Sequence, residues 1–320
     1  MAQRAYPLLC PLIIATALFM ENLDGAVIAT ALPAIARSLH TDPLRLNFAI
    51  TSYLFSLAVF IPLSGWMADR FGARTVFRAA IGVFTLSSIA CGLSQTLWQL
   101  VAARLVQGLG GAMMVPVGRL VLLRTVPKNQ LVSAMAWLTI PALVGPVLGP
   151  PLGGFIVTYS TWHWIFFINV PIGILGMVLS SLFIKNIREQ ATPPLDIPGF
   201  LLLGLGLSGL VAGFEMAGRN LLPGETVAFL LAGGAIGIAL YGFYALRKQH
   251  PIVNLRLFQL PTFFAATVGG LLFRIGIGAL PFLMPLMLQE AFGLSPLNSG
   301  LITFASAIGA IFMKTTATRI

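Results

Sequence analysis

Long apolar segments alternate with short polar stretches along the whole chain, and ten of them are long enough to cross a bilayer. An α-helix rises about 1.5 Å per residue, so about 20 apolar residues span a hydrocarbon core about 30 Å thick. The predicted spans are Tyr6–Ala31, Leu46–Met67, Phe77–Ser94, Leu97–Val117, Leu131–Tyr159, Trp164–Ile184, Ile197–Ala217, Thr226–Leu246, Phe263–Gln289 and Leu297–Met313. The pattern therefore predicts an all-α polytopic membrane protein.

The composition agrees with this class. Of the 320 residues 58% are hydrophobic and only 9% are charged, whereas about 25% are charged in soluble domains. Arg4 before the first span and Ala34-Ile35-Ala36 after it are features of a cleaved signal peptide. The apolar run is about twice as long as a signal core, however, and it contains two acidic residues. We therefore expect this span to be retained as a transmembrane helix.

The net charge of +10 is explained by the distribution of the basic residues. Fourteen of the 19 lie on one side of the predicted membrane, three lie on the other side and two lie within spans. The first set is Arg4, Arg70, Arg74, Arg78, Arg119, Arg124, Lys128, Lys185, Arg188, Arg247, Lys248, Arg256, Lys314 and Arg319, the second is Arg37, Arg45 and Arg219, and the third is Arg104 and Arg274. An excess of Lys and Arg marks the cytoplasmic side. Both chain ends are thus predicted to be cytoplasmic, and no nucleic-acid binding is implied.

Residue patterns typical of an enzyme or of a cofactor site are missing from the sequence. The cysteines and histidines are scattered singly, which gives neither a disulfide framework nor metal-ligand spacing. They are Cys10, Cys91, His40, His163 and His250. The stretch Gly204-Leu-Gly206-Leu-Ser-Gly209 matches a dinucleotide-binding fingerprint, but that fingerprint follows a strand and here it lies inside a predicted span. We interpret it as helix packing, and we predict no enzyme activity, no metal and no cofactor.

Two acidic residues, Glu21 and Asp24, lie one helical turn apart inside the first span. Carboxylates in hydrocarbon are costly, and they usually face a wet cavity or a partner on an ion or substrate pathway. Either residue could instead be a neutral, hydrogen-bonded packing group. The position makes both of them candidate functional residues.

The fourth span carries one polar stripe. Arg104, Gln107, Gly108 and Gly111 follow the spacing i, i+3, i+4 and i+7, so they share one helical face. An unpaired arginine there costs about 2.5–3.5 kcal/mol on insertion scales, so Arg104 should have a partner unless it snorkels to the outer interface. Helical rise places Asp24 and Arg104 at similar depths, about 10 Å below the outer boundary, with Glu21 about 5 Å deeper. A contact between Asp24 and Arg104 is therefore geometrically allowed.

Two further motifs concern helix geometry. The link between the second and third spans contains Gly65, Asp69, Arg70, Gly72 and Arg74. Its glycines permit a tight turn, and its charges can pair with helix ends or with each other, although an ordinary basic loop would look similar. The fifth span contains Gly145, Pro146, Gly149, Pro150, Gly153 and Gly154. Glycines at steps of four allow close helix contact, and the prolines favour a bend.

These motifs carry a resemblance to the major facilitator superfamily. The Gly65–Arg74 link resembles its signature loop, and the fifth-span glycines and prolines resemble the motif of its proton-coupled exporters. The segments Leu23–Pro33 and Trp162–Gly173 resemble signatures of the fourteen-span drug:proton antiporters of the EmrB and QacA type. That branch usually has glutamine where this chain has Glu21, so the resemblance covers Asp24 and not Glu21.

The resemblance implies a fold and its domains. Residues 1–187 would form the complete N-terminal six-helix bundle, built from two inverted three-helix repeats. Residues 188–256 would be a linker, with Pro193-Pro194, and two inserted helices. Residues 257–320 would begin a C-terminal bundle that is truncated, with four expected spans absent. Alternating access needs two bundles that rock against each other, so the expected activity is that of the full-length form.

That activity is proton-coupled export of amphipathic small molecules or drugs across the inner membrane. The resemblance assigns proton coupling to Asp24 and Arg104, and Glu21 could bind cationic substrates, share protonation with Asp24 or fill the glutamine position as a neutral acid. Arg274 is a possible cavity charge that could meet an anionic substrate or pair with Glu21, and Glu215 is expected to be peripheral. The expected partners are the lipid bilayer, the substrate and protons, with the protein a monomer. The alternatives are a metabolite or siderophore exporter, or a non-transporting membrane remnant.

Overall fold

The chain is described by a computed structural model over residues 9–189, 192–217, 223–278, 287–293 and 302. Its α-helices are α1 Leu9–Ser38, α2 Pro43–Phe60, α3 Ser64–Phe71, α4 Ala73–Gly92, α5 Leu97–Thr125, α6 Leu131–Tyr159, α7 Trp164–Phe167, α8 Asn169–Phe183, α9 Ile197–Ala217, α10 Gly224–Arg247 and α11 Pro261–Gly278. Within this part of the chain, eight helical segments are long and apolar enough to cross a membrane. The all-α membrane class and the first eight predicted spans are therefore confirmed.

Two predicted spans are interrupted near prolines. The second span consists of α2, a 3-10 turn at Ile61–Leu63 and α3. The sixth span breaks at Ile168, between α7 and α8. Proline has no backbone N–H, so Pro62 and Pro171 each remove one donor from the helical ladder. Both interruptions lie within a single predicted span, so the second and sixth spans keep their predicted places.

Several helices extend beyond the predicted apolar limits. α1 continues past Ala31 to Ser38 with Pro33 inside it, and α5 continues past Val117 to Thr125. Hydropathy marks where the apolar face ends, whereas the backbone hydrogen bonds continue into polar residues. At its other end α5 begins at the predicted position, where the Thr96 side chain accepts a hydrogen bond from the Gln99 N–H at 3.3 Å and caps the helix.

The buried side chains of the bundle form two apolar clusters, and α1 takes part in both. One cluster surrounds the first half of α1 and includes Met20, with residues of α4 and α5. The other surrounds its second half and includes Leu23 and Val27, with residues of α2, α5 and α7. Asp24 lies on α1 where the two clusters meet, and it is only 3% exposed. A charged group is thus placed at the junction of two apolar regions.

The helices α9 and α10 pack against each other through glycines. A Cβ built on Gly234 would lie 2.6 Å from the Leu210 nitrogen and 2.8 Å from the Gly206 oxygen, so the two backbones are in close contact. The Gly204–Gly209 stretch therefore packs helices, as predicted. The start of α9 is fixed by Asp196, which accepts a hydrogen bond from the Tyr244 hydroxyl at 2.6 Å.

Contacts between Cα atoms divide the chain into residues 1–252 and residues 253–320. The second unit contains a 3-10 turn at Leu255–Gln259, α11 and a π-helical turn at Met287–Ala291. α11 covers the first part of the ninth predicted span, and the tenth lies outside the described residues except for Ile302. The domain limits at residues 187 and 256 stay predictions.

Candidate functional site

Asp24 and Arg104 form a buried ion pair between α1 and α5. The Arg104 Nη1 to Asp24 Oδ2 distance is 2.5 Å, and each side chain is 1% exposed. The sequence placed Asp24 and Arg104 at similar depths in the membrane, and the structure shows the two side chains in contact. A buried pair of this kind carries a large desolvation cost, so its remaining hydrogen-bonding groups must also be satisfied.

Two amides complete the ring of donors around Asp24. Gln107 Nε2 donates to Asp24 Oδ1 at 3.0 Å, and Asn169 Nδ2 donates to the same oxygen at 2.9 Å. Gln107 also accepts from Arg104 Nη1 at 2.6 Å and donates to Ser88 Oγ at 2.8 Å. We call Asp24, Arg104, Gln107, Ser88 and Asn169 the carboxylate network. It joins α1, α4, α5 and α8 through polar contacts inside an apolar bundle.

The Arg104 side chain is also held from the side of α2. Its Nε donates to the backbone oxygen of Ala49 at 3.3 Å, and its guanidinium carbon lies 4.3 Å from the centre of the Tyr53 ring. Such a cation-π contact is worth about 2 kcal/mol when it is desolvated. Gly108 lets α2 come this close, because a Cβ there would lie 2.6 Å from the Tyr53 backbone oxygen. The fourth-span stripe thus supplies both the charge and the space around it.

Glu21 lies beside the carboxylate network and is not a member of it. Its carboxylate neighbours the Tyr53 hydroxyl. Glu21 Oε2 and Tyr53 Oη are both buried, and neither has a hydrogen-bond partner among the described residues. Gly111 leaves room for this hydroxyl, since a Cβ there would lie 2.8 Å from Tyr53 Oη. The structure therefore places the Glu21 carboxyl group and the Tyr53 hydroxyl side by side next to the network.

The fifth-span glycines form the contact between α6 and α1. A Cβ on Gly145 would lie 2.9 Å from the Leu23 backbone nitrogen, and Gly149 and Gly153 contact Ala26 and Val27 in the same way. Gly154 has nothing within 4 Å of its Cβ position. Pro146 and Pro150 lie in the same helix, which is continuous from Leu131 to Tyr159. Three of the four glycines therefore hold α6 against the helix that carries Asp24.

This contact gives a matched pair of substitutions. We expect Gly145→Ala to destabilise the bundle by about 1–3 kcal/mol, because the new methyl group would overlap the backbone of α1. Gly154→Ala, in the same helix and the same motif, adds its methyl group in open space and should be neutral or slightly stabilising. Thermal unfolding of the two purified variants measures the difference, and equal melting temperatures would contradict it.

The loop motif is tied to the segment that follows α8. Asp69 pairs with Arg124 at 2.7 Å, and its backbone oxygen accepts from the Glu189 N–H at 3.2 Å. Arg74 donates to the Ile184 backbone oxygen at 3.2 Å. Gly72 has a φ of +92°, which favours glycine. The structure thus shows partners for Asp69 and Arg74, while Arg70 is exposed and Gly65 has nothing within 4 Å of its Cβ position.

The other candidate residues are not members of the network. Arg274 is an exposed residue of α11, which belongs to the second unit. Glu215 lies near the end of α9. His163 stacks on Trp162 with 3.9 Å between ring centres, and burial lowers its pKa. His163 thus makes a packing contact at the start of α7.

Three residues around the Asp24–Arg104 ion pair were not recognised from the sequence. Ser88, Tyr53 and Asn169 all contact or adjoin the ion pair, yet none was a candidate. The available signal was an amide or hydroxyl inside a predicted span, and Asn169 also lies in one of the resembling segments. Many serines and tyrosines in such spans only bond to their own helix, as Ser87 does, so this signal is weak without the fold.

Long apolar helices packed around a buried ion pair define a multi-pass membrane protein. Residues 14–320 match the Major Facilitator Superfamily, and the chain belongs to this family. It is similar to multidrug resistance proteins, MdtD, of Salmonella dublin and Salmonella typhimurium strain LT2, with 45% identity over 302 residues in each case. The aligned region covers 94% of this chain and 64% of each relative. The chain thus spans less than two thirds of their length.

Solved structures agree on the fold. The bacterial proton:xylose symporter XylE has a TM-score of 0.63 at 15% identity, over 98% of this chain and 69% of that one. The human organic anion transporter MFSD10 has a TM-score of 0.59 at 14% identity, over 96% of this chain and 71% of that one. At such low identity these likenesses show the major facilitator fold and nothing about substrate.

Proposed function

We propose that the full-length protein exports amphipathic small molecules across the inner membrane in exchange for protons, and that Asp24 carries the proton. The MdtD relatives, named for multidrug resistance, support export of such compounds. The fifth-span motif supports exchange over co-transport, through its resemblance to proton-coupled exporters. In this proposal the protein works as a monomer in the bilayer, with its N-terminus in the cytoplasm.

The observation that carries the proposal is the buried ion pair of Asp24 with Arg104. A nearby arginine favours the ionised carboxylate, whereas desolvation favours the neutral acid. A proton that reaches Asp24 removes its charge and leaves Arg104 without a counter-ion in an apolar region. The protonated and ionised states therefore prefer different packing of α1 against α5, which is what a proton-driven conformational change requires.

The energy available from the membrane is sufficient for transport. One proton that returns down 100 mV supplies about 2.3 kcal/mol before any pH gradient is added. The Asp24–Arg104 pair gives this proton one defined binding site. Arg104 remains charged through the cycle and acts as the fixed partner that Asp24 leaves and rejoins.

Glu21 favours cationic substrates within this function. Its carboxyl group, next to the Tyr53 hydroxyl, is a buried acid that a desolvated amine or quaternary ammonium group would convert to the ionised form and pair with. An anionic metabolite would gain nothing from this acid, so Glu21 favours a cationic substrate over the metabolite or siderophore alternative.

We expect Glu21→Gln to weaken binding of tetraphenylphosphonium by about tenfold or more, because the substitution removes the charge and keeps the shape. Binding of a neutral amphipathic dye should stay within about twofold. Fluorescence or calorimetric titration of the purified protein in nanodiscs measures both ligands. Equal affinity of the parent and the variant for the cation would show that Glu21 only fills space.

The overall proposal is tested by dye accumulation in everted membrane vesicles with an imposed proton gradient. Uptake into everted vesicles corresponds to export, and it should collapse when a protonophore removes the gradient. Vesicles with this chain are compared with vesicles that contain the Salmonella relative MdtD. Gradient-independent movement by both proteins would contradict proton coupling. Transport by the relative alone would support the non-transporting alternative for this chain.

A further inference from the structure

Asn169 is the first residue of α8, and its amide is directed at the Asp24 carboxylate. Its Nδ2 donates to Asp24 Oδ1 at 2.9 Å and lies 3.4 Å from Ser88 Oγ. Its own oxygen, Oδ1, is buried without a hydrogen-bond partner among the described residues. The side chain is fully buried. Asn169 is therefore held in the carboxylate network by its donor end alone.

The position of this amide is fixed by the packing of α8. Gly173 lies against Thr85 of α4, because a Cβ there would overlap the threonine side chain. One turn further on, a Cβ on Gly176 would lie 3.3 Å from Thr16 Oγ1 of α1. α8 is thus in contact with both α4 and α1. Asn169 cannot move away from Asp24 without a shift of the whole helix.

A carboxylate that accepts several hydrogen bonds is stabilised in its charged form. Asp24 Oδ1 accepts from both Gln107 and Asn169, so protonation of the carboxylate on either oxygen weakens these two charge-assisted hydrogen bonds. The amide nitrogen of Asn169 cannot accept that proton, since it is only a donor. The donor end of Asn169 therefore opposes protonation of Asp24.

We propose that Asn169 is a positioning residue that holds Asp24 in its ionised form and so sets the pH at which Asp24 takes up its proton. This inference rests on the proposed role of Asp24 as proton carrier. Protonation of Asp24 weakens the Asn169 hydrogen bond, which is one of the contacts between α8 and α1. The sixth span thereby responds to the charge on the first.

Other ionisable groups around Asp24 also act on its charge. They are Glu21 on the same helix, Tyr53 on α2, Cys91 on α4 and Arg104 on α5. α6, α7 and α8 contain no charged residue. All four groups remain in place when Asn169 alone is replaced, so the effect of its amide can be measured separately.

The test is a pH titration of the purified chain in lipid nanodiscs, followed by infrared difference spectroscopy of protonated carboxyl groups. The Asp24 band is identified by its loss in Asp24→Asn. We expect Asn169→Leu, which has nearly the same shape, to raise the midpoint of this band by about one to two pH units. Asn169→Ser keeps a shorter donor and should shift it less.

Asn22→Leu is the matched control. Asn22 also has an amide side chain, and it lies on α1. Its Nδ2 donates at 2.7 Å to the Leu18 backbone oxygen and not to Asp24. Its replacement should leave the midpoint unchanged. If Asn169→Leu does not fold, Asn169→Ala replaces it in the titration, because it removes the same amide and adds no contact.

An unchanged Asp24 midpoint in a folded Asn169→Leu or Asn169→Ala protein would overturn the positioning role and leave the proton-carrier proposal standing. If the unsubstituted chain has no titrating band that depends on Asp24, both proposals are overturned. A purely structural role for Asn169 would lower the melting temperature without a change of the midpoint.

Discussion

Replacement of Arg104 by leucine is expected to destabilise the helical bundle by about 3–5 kcal/mol, because it leaves the Asp24 charge buried without its partner. The pair is almost inaccessible to solvent, with each side chain 1% exposed. The substitution also removes the donor to the Ala49 oxygen and the cation over the Tyr53 ring. Unfolding of the purified protein in detergent, followed by circular dichroism, measures the loss. It should be larger at alkaline than at acidic pH, since a neutral Asp24 is less costly to bury.

Two variants check the cause of this loss. Arg124→Leu breaks ion pairs with Asp69 and Glu189 that are partly exposed, so its cost should be about 0–1 kcal/mol. The double variant Asp24→Leu with Arg104→Leu should recover most of the stability, because it leaves no isolated buried charge. If Arg104→Leu costs no more than Arg124→Leu, the buried pair is not the structural element described above.

Replacement of Asp24 by asparagine is expected to abolish proton-driven accumulation of substrate while the protein still folds. Asparagine has the shape of aspartate and mimics its neutral state, but it cannot release a proton. For a neutral dye, one proton per molecule at 100 mV corresponds to about 50-fold accumulation, from the drive of about 2.3 kcal/mol and about 1.4 kcal/mol per factor of ten. The variant should show no accumulation under the same gradient.

The assay is dye accumulation in the everted vesicles, with protein amounts matched by immunoblot. Glu225→Gln is a suitable control, since Glu225 is an exposed acid in the first turn of α10. It should transport as the parent does. Accumulation by Asp24→Asn that still follows the gradient would assign proton coupling to another group.

The sequence predicted the helices and indicated that Asp24 could contact Arg104. Both inferences depend only on distance along the helix axis. Hydropathy and helical rise place Asp24 and Arg104 at one depth, and the structure shows them in contact. The helix breaks near Pro62 and Pro171 were missed because apolar composition continues through them. Partners such as Ser88 and Asn169 could not be found in this way, since their contact with Asp24 depends on which helix faces pack together.

The loop motif likewise combines features that were visible in the sequence with contacts that were not predicted. Its positive-φ glycine and its charged residues were visible in the sequence, and Gly72 indeed has a φ of +92°. The segment that it contacts was not predicted. The Ala73 N–H donates to the Ile187 oxygen at 3.0 Å, and Trp66 Nε1 donates to the Pro193 oxygen at 2.9 Å. No residue pattern in the sequence marks a hydrogen bond to the backbone oxygen of a distant segment. Such contacts are therefore seen only in the structure.

The decisive measurement is proton release on substrate binding by the purified protein in a weakly buffered solution with a pH-sensitive dye. The experiment is done at a pH below the midpoint of the Asp24 carboxyl band, where Asp24 carries its proton. If Asp24 exchanges this proton for substrate, addition of tetraphenylphosphonium should release about one proton per bound cation from the unsubstituted protein and none from Asp24→Asn. Equal proton release by the two proteins, or binding without any release, would contradict the role assigned to the Asp24–Arg104 pair.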